Sequence, residues 1–310
     1  MKKKINFNIV NKIILVIATL GLFSLIIIGL PWQEANNSLQ LAAIEAGSPN
    51  QEQPVDYWTE LELSAEAAAV YNITTEEFIF EKKLNKHLPI ASVTKLMTII
   101  TAVDYLNYED KITIESSEAG IISSAGLQTG DTWRFEDLAR FTLITSSNGG
   151  ATAIARAAGQ KAGDENFISL MNKKAKDLGL NNTFFVNSTG LDVGGQHSGS
   201  YSTAREITLL MVKLWQQESD LLTSTGLTST SFTTTSGRRY PATNTNKKMD
   251  IMPGLVASKT GYTGNAGGNL TTVVDIGPGN YYVITVLGST REQRTEDISK
   301  MIFTLIKSLK

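Results

Sequence analysis

Residues 89–98 read PIASVTKLMT. Ser92 and Lys95 stand three apart in a run that also holds Ile90, Ala91, Val93, Leu96 and Met97. An ammonium group among such neighbours is costly unless something uses it. The run continues as VTKLMTIITAVDYL, with apolar residues at Val93, Leu96, Met97, Ile100, Val103 and Leu106, the spacing of a helix that buries one face. A helix starting near Ser92 puts Ser92 and Lys95 on the same face, where the amine reaches the hydroxyl. Serine is a weak nucleophile until a base takes its proton. A lysine acts as that base only when neutral, against an ordinary pKa of about 10.4. Burial and a neighbouring cation both lower a lysine pKa. Bringing it to ~7–8 costs roughly 4 kcal/mol, at about 1.4 kcal/mol per unit. The apolar neighbours supply burial, so the pattern asks for a second cation elsewhere in the chain. The helix start also offers free N–H groups that favour negative charge. The Ser92 N–H is therefore a candidate donor to an oxyanion, an interaction worth ~10²–10³ in rate.

Alone, Ser-x-x-Lys is a weak signal, equally read as a serine N-cap followed by an ordinary helical lysine. Two later motifs change its weight. TSSNGG (145–150) places Ser146 and Asn148 in a loop before a helix, and SKTGYTGNAGG (258–268) places Lys259, Thr260 and Gly261 on a strand before a glycine-rich turn. Ser-x-x-Lys, Ser-x-Asn and Lys-Thr-Gly in that order resemble the penicillin-recognising serine enzymes, in particular the low-molecular-mass D-alanyl-D-alanine carboxypeptidases. The resemblance covers about residues 62–308 and includes NSTGLD (187–192), YSTAREI (201–207) and NTNKKM (244–249).

That resemblance implies a role for each matched residue. Ser92 attacks the carbonyl of the penultimate D-alanine, and Lys95 takes its proton. Ser146 relays a proton to the leaving amine. Asn148 orients the substrate amide and Lys95. Lys259 is the second cation and faces the terminal carboxylate of the substrate, with Thr260 donating a hydrogen bond. Gly261 leaves room for the substrate to lie along the strand as an added edge. The Tyr262 N–H is the second oxyanion donor, and Arg294 helps to hold the terminal carboxylate, though Arg291 is close by. Two departures stand out. Ser258 occupies a position where the family has a small aliphatic or glycine-flanked residue, with a slight change of the strand edge expected. Thr189 stands where some members have histidine. Asn187, Gly190, Leu191 and Asp192 are expected to shape a loop, Tyr201 and Arg205 to be structural, His87 to be exposed and His197 to be a loop histidine.

The surrounding pattern predicts an α+β fold. AEAAAVYNITTEEFIFEKKL reads as two strands around a turn at Asn72–Glu77, and NLTTVVDIGPGNYYVITVLGS as a hairpin turning at Gly-Pro-Gly-Asn. Helices are predicted over 135–145, 148–162, 164–178 with a capping Asp164, 203–217 and 293–308, and an exposed hairpin over the Thr/Ser-rich 223–236. Strands at both ends with helices between give a layered domain with a helical insert. The resemblance makes it a β-lactamase/transpeptidase-like fold: an antiparallel sheet flanked by helices, with a helical subdomain.

The 310 residues carry a net charge of −2 and are 42% hydrophobic, with no basic surplus of the kind nucleic-acid binding uses. Cysteine is absent and only His87 and His197 are histidines, so disulfides, thiolate chemistry and a histidine metal site are not expected, nor is any cofactor. At the start, MKKKINFNIVNK has four lysines, and IILVIATLGLFSLIIIGL follows without a charge. Its eighteen residues span about 27 Å as a helix. The lysines before it place the N-terminus in the cytoplasm. Residues 1–30 are thus read as a basic stub and transmembrane anchor, 31–58 as a polar linker and 59–310 as the extracytoplasmic catalytic domain. The alternative is a signal peptide cleaved near Ala35. Expected partners are peptidoglycan stem peptides and β-lactam antibiotics.

Four other activities compete with carboxypeptidase action. A DD-endopeptidase would use the same residues on peptide cross-links. A class A serine β-lactamase needs Glu-x-x-Leu-Asn after the second motif, and residues 160–200 lack it. A penicillin sensor needs a cytoplasmic effector, for which twelve residues before the span leave little room. A silent cell-wall scaffold would have no use for intact motifs.

Overall fold

The run Asn269–Ser289 folds back on itself at Gly277–Asn280, where Asn280 N donates to Gly277 O over 2.7 Å. It forms the centre of the sheet in a computed structural model that describes residues 56–164 and 166–310. The sheet consists of β1 (Ala67–Asn72), β2 (Glu77–Lys82), β3 (Leu255–Thr263), β4 (Gly267–Asp275) and β5 (Tyr281–Ser289). Their spatial order is β3-β4-β5-β1-β2, every pair antiparallel. The two ends of the chain thus build one sheet. The turn from β1 to β2 falls where the sequence predicts it. Asn72 Oδ1 accepts from Thr74 N and Thr75 N, an Asx turn that reverses the chain.

Alternation along the strands gives the sheet two apolar faces. One carries Ala68, Val70, Leu270, Val274, Tyr282, Ile284 and Val286. The closing helix packs there with Ile298, Met301, Ile302 and Leu305, spaced i, i+3, i+4 and i+7. Burying four such side chains contributes on the order of 6–12 kcal/mol before entropy is counted. The other face carries Ala67, Ala69, Tyr71, Val273, Val283 and Leu287 and joins the larger core. That core is built by α1 (Lys95–Ala102), α2 (Phe135–Thr145), α3 (Asn148–Ala162), α4 (Phe167–Asp177) and α5 (Ala204–Leu222), and the closing helix is α6 (Gln293–Ser308).

Every residue of α1 is buried. The periodicity predicts a helix with one buried face reaching Leu106, but the helix stops at Ala102 and is enclosed on all sides. Two of its polar members, Lys95 and Thr98, find partners inside: Thr98 Oγ1 donates to Ser188 O over 2.7 Å. Two other boundaries differ from expectation. The α4 cap is Asn166, whose side chain accepts from Ser169 N, while Asp164 holds Asn166 N one step earlier. The exposed hairpin comes later than 223–236. The helix α5 kinks at Glu218 (φ −140°, ψ 38°), next to its predicted end at 217, and a last helical stretch runs on to Leu222; Thr223–Gly226 makes a 3-10 turn, and the strands are Ser229–Thr233 and Arg239–Thr243.

The expected anchor lies outside the described residues, as does the linker up to residue 55. Trp58 stacks on Phe80 with ring centroids 5.0 Å apart. Among the described residues no helix is long and apolar enough to cross a membrane.

Candidate active site

Ser92 sits in a 3-10 turn, Ala91–Thr94, that passes into α1 at Lys95. The turn is entered through Ala91 at φ +47°, a left-handed conformation that persists only where its surroundings enforce it. Two contacts do so. Thr94 Oγ1 donates to Ala91 O over 2.6 Å. On the other side lies Gly190, itself at φ +79°, where a Cβ would fall 1.9 Å from Ala91 O. The Ser92 N–H lies in the first turn, where an N–H finds no intrahelical carbonyl. Ser92 is partly exposed, whereas Lys95 is fully enclosed.

The amine of Lys95 has three neighbours. It lies 2.8 Å from Asn148 Oδ1, 2.8 Å from Thr189 O and 2.9 Å from Ser92 Oγ. Two of these are carbonyl oxygens, which only accept. A neutral amine donates its two hydrogens to them and turns its lone pair on the hydroxyl. Burial pushes the Lys95 pKa down to about 7, so a large share of the amine is neutral near neutral pH. The sequence reading asked for a second cation to achieve this. Burial suffices, and the repulsion falls on the partner: Lys259 is held well below the usual lysine range by its own burial, then by Lys95 and Arg294.

The second motif straddles a break between helices. Helix α2 ends at Ser146 in the left-handed conformation, φ +58°. Helix α3 starts two residues later, capped by Ser147, whose Oγ accepts from Gly150 N and donates to Ser124 O. The middle serine is therefore a cap and its neighbours face the cleft. Asn148 Nδ2 donates to Ile122 O over 2.8 Å, which turns the amide oxygen toward Lys95.

The third motif lies on β3, at the edge of the sheet. Lys259 Nζ donates to Ser146 Oγ over 2.9 Å and to Thr260 O over 2.8 Å. The Thr260 and Thr245 hydroxyls lie 2.6 Å apart. At Gly261 a Cβ would stand 2.6 Å from Ile90 O and 3.2 Å from Ser92 N. The glycine is thus required by the approach of β3 to the serine turn, a reason different from the substrate clearance inferred from sequence. Tyr262, one residue on, is exposed, and Arg291 lies 5.2 Å from its ring centroid. Arg294 is buried rather than solvated. It donates to Gly261 O over 2.7 Å, its Nε has no partner among the described residues, and burial followed by the charge of Arg291 lowers its pKa to about 10.

All nine residues singled out from the sequence lie on these three converging segments or pack against them. The sequence reading missed the Thr189 carbonyl, because any residue type supplies one. Its loop was visible only as NSTGLD. Asn187 Oδ1 accepts from Thr189 N, Thr189 Oγ1 and Gly190 N, which aims the carbonyl at Lys95. Ser258 leaves the strand edge alone: its side chain is buried and donates to Thr225 O. His87 is exposed and His197 lies in a loop, as expected.

The profile of peptidase family S11, described as D-alanyl-D-alanine carboxypeptidase, matches residues 51–290. The D-alanyl-D-alanine carboxypeptidase DacF of Bacillus subtilis is 29% identical over 250 residues, 79% of this chain and 62% of its own length. This chain therefore spans under two thirds of that relative. The D-alanyl-D-alanine endopeptidase of Escherichia coli is 31% identical over 240 residues, 73% of each chain. Among solved structures, penicillin-binding protein D2 of Listeria monocytogenes in its ampicillin-bound form superposes with a TM-score of 0.67 at 30% identity. That match covers 79% of this chain and 98% of the other.

Proposed function

Since the chain belongs to the D-alanyl-D-alanine carboxypeptidase family, peptidase S11, we propose that it removes the terminal D-alanine of peptidoglycan stem peptides through an acyl-enzyme on Ser92. The observation that carries this is the Lys95 amine, 2.9 Å from Ser92 Oγ with both remaining contacts to carbonyls. Ser92 Oγ attacks the penultimate carbonyl and its proton passes to Lys95. The Ser92 and Tyr262 N–H groups receive the oxyanion. On collapse the C–N bond breaks and the leaving amine takes a proton from Ser146, whose hydroxyl accepts from Lys259; the proton that Lys95 took from Ser92 makes good the loss. Water then cleaves the ester, and Lys95 returns to its starting state. Asn148 keeps Lys95 in line and has one amide hydrogen left for the substrate. Lys259, Thr260 and Arg294 hold the terminal carboxylate. A β-lactam carries a carbonyl and a carboxylate in comparable places, so the same steps acylate Ser92 with penicillin.

The decisive assay is D-alanine release from a Lys-D-Ala-D-Ala peptide. Release that disappears in Ser92→Ala supports the proposal, and release that survives defeats it. The endopeptidase name of the Escherichia coli relative favours a second reading, in which the same residues cut cross-links. Purified muropeptide monomers and cross-linked dimers, assayed side by side, separate the two.

The charge-free run 13–30 behind four lysines supports a membrane anchor with residues 59–310 on the extracytoplasmic side. The protein is then expected in carbonate-washed membranes, with its body open to external protease. Recovery in the soluble fraction would defeat the anchor and leave the chemistry untouched.

A further inference from the structure

The two amines of the cleft are presented by different walls. Lys95 is gripped by the Thr189 carbonyl, carried on the 187–192 loop. Lys259 projects from β3, whose outer edge has no neighbouring strand among the described residues. One carboxylate spans the gap between these walls. Asp192 Oδ1 accepts from Ser198 Oγ over 2.9 Å, which closes its own loop. The same oxygen accepts from Thr263 Oγ1 over 3.0 Å, and Oδ2 receives Asn265 N at 3.4 Å. Thr263 is the last residue of β3. A nearby bond joins the same two segments, Asn265 Nδ2 to Gly195 O over 3.1 Å.

We infer that Asp192 is a positioning residue for catalysis: it ties the end of β3 to the loop that holds Lys95, and so sets the distance between the Tyr262 N–H and the Ser92 hydroxyl. The chain of contacts is short in both directions. Toward the base, Asn187 Nδ2 donates to Leu191 O, and Asn187 Oδ1 orders Thr189 and Gly190. Toward the oxyanion, Thr263 directly follows Tyr262. A carboxylate suits the place because it accepts from three donors and offers none. Asparagine of the same shape keeps an oxygen for the two hydroxyls and sacrifices only the longest contact, to Asn265 N. Alanine removes all three.

This inference rests on the serine-peptidase reading, so its test has one readout of the reaction and one of the tie itself. The full chain is titrated with fluorescent penicillin, and amide hydrogen exchange is followed over 187–191 and 259–266. Asp192→Ala is expected to lower the acylation rate constant at least fivefold and to speed exchange in both segments together. Asp192→Asn should stay within twofold of the parent. Thr263→Val should lose at least threefold, and the double variant Asp192→Ala/Thr263→Val should be no worse than the poorer single, because both changes cut one connection. Acylation of a folded Asp192→Ala protein within twofold of the parent would overturn the inference, as would losses that multiply or exchange that rises in one segment alone. Should Asp192→Ala fail to fold, Thr263→Val decides: a threefold loss upholds the tie and a parental rate refutes it. A parent chain that takes up no penicillin, with exchange still coupled across the two segments, would count against the peptidase reading and not against the tie.

Discussion

As the proposed base, Lys95 must be buried to shed its proton and yet touch the Ser92 hydroxyl. With its pKa brought to about 7 by burial, the neutral form grows as pH rises through 7. Stopped-flow acylation by penicillin is therefore expected to climb up to tenfold per unit below pH 7 and to level off above it. A limb centred near 10, or no acid limb at all, would contradict Lys95 as base. Lys259→Ala is expected to harm peptides with a free terminal carboxylate far more than their amidated counterparts. Equal losses in KM and kcat for both would remove it from the carboxylate site. At this scale the sequence was informative where side chains meet, as with Ser92 and Lys95 or Ser146 and Lys259. It was silent on Thr189, whose backbone oxygen carries no trace in residue type. It also misattributed the lowered Lys95 pKa, since the degree of burial is settled by α1 being enclosed on every side.

The strand β3 and the serine turn meet at a glycine, and the spacing between them is the cleft. In Gly261→Ala the new Cβ would stand 2.6 Å from Ile90 O, a backbone atom that cannot swing away. We expect a stability loss of about 1–3 kcal/mol from overpacking, with acylation down more than tenfold as β3 is pushed outward. Unfolding curves and acylation rates measured on the same preparation check this. Acylation at the parental rate would mean that the contact does not set the cleft. Elements with strong periodicity were legible beforehand: the β4–β5 hairpin, α2, α3 and α6 match their predicted spans closely. The Thr/Ser-rich hairpin was misplaced because its strands lack apolar contrast, and because a further helical stretch follows the kink at Glu218 before the hairpin begins.

Two buried lysines burden the folded molecule as a whole. In the unfolded chain both hold a proton up to about 10.5; in the fold Lys95 holds it only to about 7, and Lys259 is lowered as well. Between those limits the unfolded state binds more protons, so stability rises with pH. Urea unfolding is expected to show a gain of at least about 2 kcal/mol from pH 7.5 to 9.5, at about 1.4 kcal/mol per unit for each lysine. Lys95→Met should flatten part of that slope. Above pH 10 the lysine gain fades, and Tyr240, pushed up to about 12 by burial and by Asp131, works in the opposite direction because it keeps a proton that the unfolded chain releases. A stability that is level from pH 7.5 to 9.5 would show that the lysines stay protonated in the fold. The layered order of sheet and helices was readable from strands at both ends of the sequence. The strand order, with β3 at the open edge beside the serine turn, was not, since pairing between distant segments leaves no local signature.

The most direct test is to digest the penicillin-treated chain and locate the adduct by mass. The account expects one penicilloyl group, on the peptide containing Ser92, absent from Ser92→Ala and from a folded Lys95→Ala. An adduct on another residue, or labelling of Lys95→Ala at the parental rate, would contradict it.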